Sequence, residues 1–150
     1  MINVAESKLL NEMLFLATKA HKDQYDKNNF PYILHPISVM KLLNTYDIEL
    51  MCIALGHDLL EDTYVTSDIL RQIGMTQRIV DGIIALTKID GEDYNEYKKR
   101  VTSNSDAIKV KIVDLTHNTD ISRLKEITVK DIERTCKYFK FYLELKQLEK

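Results

Sequence analysis

The chain has 150 residues, 45% hydrophobic and 29% charged, with a formal net charge of −2 and a pI near 6.1. That length suits one domain with a real core, and that balance excludes an intrinsically disordered chain. A near-neutral chain offers no broad basic field to nucleic acid or anionic lipid, and no stretch reaches the ~20 apolar residues of a membrane helix. The N-terminus carries no basic flank before an apolar run, so no secretory signal is read there. The expectation is one domain over 1–150, cytoplasmic, with no nucleic-acid or membrane partner and with its oligomeric state left open.

Glycine (4) and proline (2) are scarce, and apolar residues recur every three or four positions. Leu9, Leu10, Met13, Leu16, Ala17 and Ala20 form one stripe and predict a first helix over about 5–21. Residues 22–34 are polar, carry Asn28-Asn29 and Pro31, and read as a loop. A second helix starts near His35-Pro36, where a first-turn proline loses no hydrogen bond, and runs to about Asn44. The third begins after Asp47 and is apolar nearly all round through Leu50, Met51, Ile53, Ala54 and Leu55, the pattern of a central bundle helix. Thr66 or Ser67 caps a short helix ending near Gly74. Thr76 caps the next, with Ile79, Val80, Ile83, Ile84 and Leu86 as its core face.

Residues 90–93 read as a loop and 94–101 as a short helix. Ser105 caps another, with Ala107, Ile108, Val110, Ile112, Val113 and Leu115 inside. Ile108 to Val113 is β-branched enough for a strand, but its neighbours are helix-like and place it in a helix. Thr128 and Asp131 resemble a capping box opening a last helix that bears Ile132, Cys136, Phe139, Leu143 and Leu148. Cys52 and Cys136 match no zinc-finger spacing and read as small buried hydrophobes in a reducing compartment. The fold class is therefore all-α, a single-domain helical bundle.

Against this apolar background, His57-Asp58 and Glu61-Asp62 stand out at the end of the central helix. On a continuous helix His57 lies above Glu61 and Asp58 above Asp62. Four ionisable groups there are costly unless compensated, and a divalent cation compensates them well. His35 at the start of the second helix and Asp114, a lone acid inside Val110–Leu115, complete a candidate ligand set. Two imidazoles and two carboxylates suit one Mn, Fe, Zn or similar ion, with positions left for water and a substrate oxygen. Such an ion lowers the pKa of bound water from ~16 to about 7–10. Glu61 and Asp62 are then placed for proton transfer, and Lys111 and Lys27 for phosphate oxygens; Asn118 lies one turn beyond Asp114. Singly, each residue has an ordinary explanation: a hydrogen-bonded histidine, a solvated acidic helix end, a solvated lysine. Three readings stay open: a hydrolase, a non-catalytic nucleotide-sensing module, and a ligand-free bundle. The conjunction of motifs favours the first.

The segments AHKDQYDKNNFPYILHPISVM (20–40), ALGHDLLEDT (54–63) and KVKIVDLTHNTDISRL (109–124) together resemble the HD superfamily of metal-dependent phosphohydrolases, in the RelA/SpoT branch. The segment ERTCKYFKFYLEL (133–145) is similar to the terminal helix of small stand-alone members. The resemblance implies a helical bundle of the HD-domain type, with His35, His57, Asp58 and Asp114 as metal ligands and Glu61 and Asp62 as catalytic acids. It implies Lys27, Tyr32, Lys111 and Asn118 as substrate-pocket residues, manganese as the metal, and a small nucleotide as substrate. The implied reaction is release of pyrophosphate from the 3′ position of ppGpp. The chain departs from the family pattern at Asp26, where an arginine that stacks on guanine is usual, and at Asp120, where a basic residue is usual.

Overall fold

Short polar side chains set where the helices begin in the computed structural model, which describes residues 3–149. α1 (Val4–Ala20) opens on a reciprocal capping box: Asn3 accepts from the Glu6 N–H, and Glu6 accepts from the Asn3 N–H. α2 (Leu34–Leu42) has no side-chain cap; Pro36 sits in its first turn. Asp47, Thr66, Thr76 and Asp93 cap α3 (Ile48–Gly56), α5 (Ser67–Gln72), α6 (Gln77–Leu86) and α7 (Tyr94–Thr102). α4 (Leu59–Asp62) is a single turn following directly on α3. α8 (Ser105–Thr119) is capped by Asn104 rather than Ser105, because the Asn104 side-chain oxygen Oδ1 accepts from both the Asp106 and Ala107 N–H groups. A 3₁₀ turn (Ile121–Arg123) leads to α9 (Val129–Leu148), where Thr128 and Asp131 form the expected capping box. Among the described residues there is no strand, and the β-branched run Ile108–Val113 lies within α8.

Every residue of α3 except Glu49 and Met51 is buried, which makes α3 the axis of an all-α bundle. α1, α2, α6 and α8 pack around it, and α9 lies along α8. Two helix contacts depend on glycine. A Cβ at Gly82 would sit 2.6 Å from Ile53 Cδ1, and one at Gly56 would sit 2.6 Å from Ile83 Cδ1. At the far end of the bundle, Arg78 donates to Asp47, Glu49 and Asp106 and so ties the starts of α3, α6 and α8 together.

Three further features differ from the sequence reading. The 22–34 loop is more ordered than its composition suggests, closed by a bridge between Tyr25 and Pro31 and by Asp26, whose carboxylate accepts from the Asn28 and Phe30 N–H groups. Ile84 is partly exposed on α6. Most of all, α9 meets α8 through Phe141 and Leu145, while Ile132, Phe139, Leu143 and Leu148 are about half exposed and Cys136 is exposed. Cys52 is buried as expected.

Replacing Gly82 with alanine should overpack the α3–α6 contact and cost about 1–3 kcal/mol in urea unfolding. The double variant with Ile53→Val, which removes the nearest methyl, should recover part of that loss. A Gly82→Ala protein as stable as the parent would show that the two helices are not held this closely.

Candidate metal centre

His57 and Asp58 are neighbours in sequence, and a continuous helix would point their side chains about 100° apart. The chain instead leaves helical regularity at this pair, between α3 and α4, with Asp58 at φ −100° and ψ −3°. Their polar atoms thereby meet: His57 Nε2 lies 3.1 Å from Asp58 Oδ2. From α2, His35 Nε2 comes within 3.3 Å of His57 Nε2 and 3.6 Å of Asp58 Oδ2. From α8, Asp114 Oδ1 lies 3.1 Å from His35 Nε2 and 3.6 Å from His57 Nε2. Three distant stretches of chain thus bring two imidazoles and two carboxylates to one point. One donor atom each from His35, His57 and Asp58 lies within 4.8 Å of the others, the spacing of a shared cation site.

The hydrogen bonds behind these atoms fix which nitrogens carry protons. His57 Nδ1 lies 2.7 Å from the Ala54 carbonyl oxygen, which can only accept, so Nδ1 is protonated. Arg123 can only donate, and its Nη1 lies 2.9 Å from His117 Nδ1, so that nitrogen accepts. His35 Nδ1, 2.8 Å from the same His117 atom, is therefore a donor. Burial, then the nearby His35 and Arg123, lower the His117 pKa to about 4, in keeping with an acceptor role. Both Nε2 atoms then turn lone pairs toward carboxylate oxygens that are also acceptors. Only a cation, whether a metal ion or a proton, makes that arrangement attractive. This donor set fits a divalent cation.

Burial lowers the His57 pKa, but Asp58 and Asp114 outweigh it and raise the value well above the usual histidine range. Burial raises the pKa of Asp58 and of Asp114, but the imidazoles hold both below the usual carboxylate range, with Lys111 the largest lowering influence on Asp114. The supporting contacts involve residues read from the sequence as a substrate pocket. The Tyr32 hydroxyl donates to Asp58 at 2.6 Å, Asn118 Nδ2 to Asp114 at 2.6 Å, and Lys111 Nζ to Asp114 at 2.8 Å. Lys111 is largely buried, so its ammonium serves first as the counter-charge to Asp114. Lys27 pairs with Asp131 at 2.6 Å while lining the adjacent cavity.

Because of the break after α3, Glu61 is not stacked on His57 along one continuous helix, whereas Asp62 stays one turn from Asp58, its N–H donating to the Asp58 carbonyl at 3.0 Å. Both are exposed, and they have different partners. Glu61 accepts from the Lys88 N–H at 3.0 Å. Asp62 is set among Asp58, Glu61 and His21; burial, then Asp58 and Glu61, raise its pKa. The Asp62 backbone carbonyl accepts from Gln24, whose own side-chain oxygen lies 2.7 Å from His21 Nδ1.

A cavity of about 300 Å³ opens beside His35, between the Tyr25–Asn28 loop, Asn118, Arg123 and Arg134. A second, of about 280 Å³, is rich in cations (Lys88, Lys111, Lys130, Arg134 and Lys137), and both are lined by Arg134 and Tyr138. The sequence motifs did not single out Arg123, Arg134, Tyr138 or His117. The spacing of His117 three residues past Asp114, and Arg123 six further on, was the available signal. Asp120 accepts from Ser122 in the turn before α9, as Asp26 does within its own loop. Both unusual acids are engaged in local structure.

No family model matches the chain. It is 31% identical over 123 residues to the bifunctional (p)ppGpp synthase/hydrolase SpoT of Escherichia coli, covering 74% of this chain and 18% of that protein. It is 30% identical over 115 residues to a guanosine-3′,5′-bis(diphosphate) 3′-pyrophosphohydrolase of Haemophilus influenzae, covering 69% and 17%. The chain thus spans less than a fifth of the length of these curated relatives. A solved metazoan orthologue of SpoT that hydrolyzes ppGpp superposes with a TM-score of 0.75 at 21% identity, over 100% of this chain and 88% of the other. At that identity the likeness establishes the fold.

Two outcomes test these electrostatics. A carboxyl held low contributes stability that is complete above about pH 4 and lost as pH falls through its folded value; an imidazole held high contributes stability present below about pH 6.5 and lost as pH rises through its folded value. His117, held down at about 4, adds stability that grows as pH rises from there to about 6.5, so protein stripped with EDTA should show its highest urea midpoint near pH 6.5. A midpoint climbing steadily to pH 9 would contradict the ionisation pattern. Lys111→Met should destabilise the stripped protein by up to about 3–5 kcal/mol, since it removes the largest counter-charge from a buried carboxylate and leaves only Asn118 and the imidazoles. Divalent metal should recover part of the loss in a thermal melt, and equal losses with and without metal would count against a cation beside Asp114.

Proposed function

Because the chain belongs to the RelA/SpoT-type family of HD domains, we propose that it is a metal-dependent phosphohydrolase acting on a nucleotide phosphate or pyrophosphate ester. Residues 1–150 form one catalytic domain in this reading, and the cell compartment is the cytoplasm, where Cys52 and Cys136 stay as free thiols. The observation that carries it is the meeting of His35, His57, Asp58 and Asp114 beside two cavities, one of them strongly basic.

In this proposal those four residues hold one divalent ion, with manganese the first choice. Held there, such an ion would neutralise phosphate charge and make bound water more acidic. Tyr32, Lys111 and Asn118 hold the two carboxylates in place. Glu61, anchored by the Lys88 N–H, takes a proton from the attacking water. Asp62, whose carboxyl keeps its proton to higher pH than usual, delivers one to the leaving oxygen. The nucleoside occupies the 300 Å³ cavity, with Lys27 and Asn118 in its lining, and the phosphates extend toward the basic one.

A guanosine 3′,5′-bis(diphosphate) with release of its 3′-pyrophosphate is the first candidate, on the relatives' activity. Asp26 supports a different nucleotide as the alternative: a carboxylate engaged in its own loop cannot stack on guanine as arginine does. A pure nucleotide sensor fits less well, because binding alone gives no use for two acids beside a cation site.

A nucleotide panel assayed with Mn²⁺ tests the reading. Asp58→Ala should lose both metal and turnover, whereas Glu61→Gln should keep the metal and slow phosphate or pyrophosphate release by about 10²–10⁴. Metal-loaded protein that releases nothing from any nucleotide would leave a binding module as the answer.

A further inference from the structure

α9 has two apolar sides, and packing within the chain uses one of them. Phe141 and Leu145 are buried against α8. On the opposite side Val129, Ile132, Cys136, Phe139 and Leu143 stand exposed, Val129 at 71%. Their spacing is 3, 4, 3 and 4 residues, the strict alternation that lines the seam of two helices packed side by side. An exterior helix needs only one apolar stripe, so the second is, among the described residues, an unpartnered seam. At 20 residues α9 is about 30 Å long, enough for nearly three heptads.

We propose that this seam pairs with α9 of a second copy of the chain, antiparallel, to form a two-fold symmetric dimer. The flanking charges select both partner and direction. Antiparallel packing sets Cys136 against Phe139 of the second copy and Ile132 against Leu143, while the aliphatic stem of Lys146 covers Val129. Exposed Glu133 and Lys140 occupy one flank of the seam, and the same alignment puts Glu133 of each copy beside Lys140 of the other. The dyad makes that pair twice, as a self-complementary interface requires. A parallel pair would lose both charge matches, which would fall opposite Thr128 and Thr135, and would oppose Lys146 to Lys146. A lipid surface is a poor fit, because the flank carries both signs of charge. The apolar seam is independent of the proposed hydrolysis, since it faces away from α8; of Glu133, Phe139 and Lys140, only Glu133 also lines the basic cavity.

Sedimentation equilibrium of the full chain over a concentration series tests it. The mass should rise toward twice 17.5 kDa. Phe139→Glu, at an exposed position and with helix content checked by circular dichroism, should weaken association at least tenfold. Glu133→Lys should also weaken it, and Glu133→Lys combined with Lys140→Glu should restore it, because the swapped charges again match across the dyad. A parent protein that stays monomeric at several hundred micromolar, or a dimer indifferent to Phe139→Glu, would overturn the proposal, as would a double swap no tighter than the single one.

Discussion

Everything at the centre of this molecule follows from aiming four electron-pair donors at one small volume from which water is largely excluded. Two imidazole nitrogens and two carboxylate oxygens, none able to donate to another in the tautomers their back-side bonds impose, repel unless positive charge stands among them. The scaffold answers with fixed support: the Ala54 carbonyl behind His57, a His117–Arg123 pair behind His35, and Tyr32, Asn118 and Lys111 on the two acids. Each bond turns a lone pair inward or holds a carboxylate still. The four donors are thus held in place by the protein alone.

Much of this was legible because it rests on periodicity and rare residues. α3 announces itself by being apolar all round, and the sudden polar run after it marks where that helix reaches the site. The capping residues Thr66, Thr76 and Thr128 were readable for the same reason: their hydroxyls act within one turn of sequence. What escaped depends on contacts across long separations. Nothing local to His57-Asp58 says that the helix must break so that both side chains reach one place; the pull comes from α2 and α8. Asn104 displaced Ser105 as a cap by a difference in reach of a single residue.

α9 shows a different limit. Its apolar residues fall on two sides, and periodicity alone cannot say which side faces the core. The sequence reading favoured the longer, more regular stripe, whereas the packed stripe is the shorter one through Phe141 and Leu145. The reason is physical. A narrow contact with α8, reinforced by Lys27–Asp131 and by Lys98–Glu144 across to α7, suffices to seat the helix. The more regular pattern is what a helix–helix seam demands, and among the described residues it has nothing to meet.

The turn at Asp26 ties together two properties that are usually separable. Its carboxylate closes the loop through two backbone N–H groups while standing in the wall of the cavity beside His35. Cavity wall and loop closure therefore share one side chain, and any replacement that reshapes the wall here also removes the two bonds that close the loop.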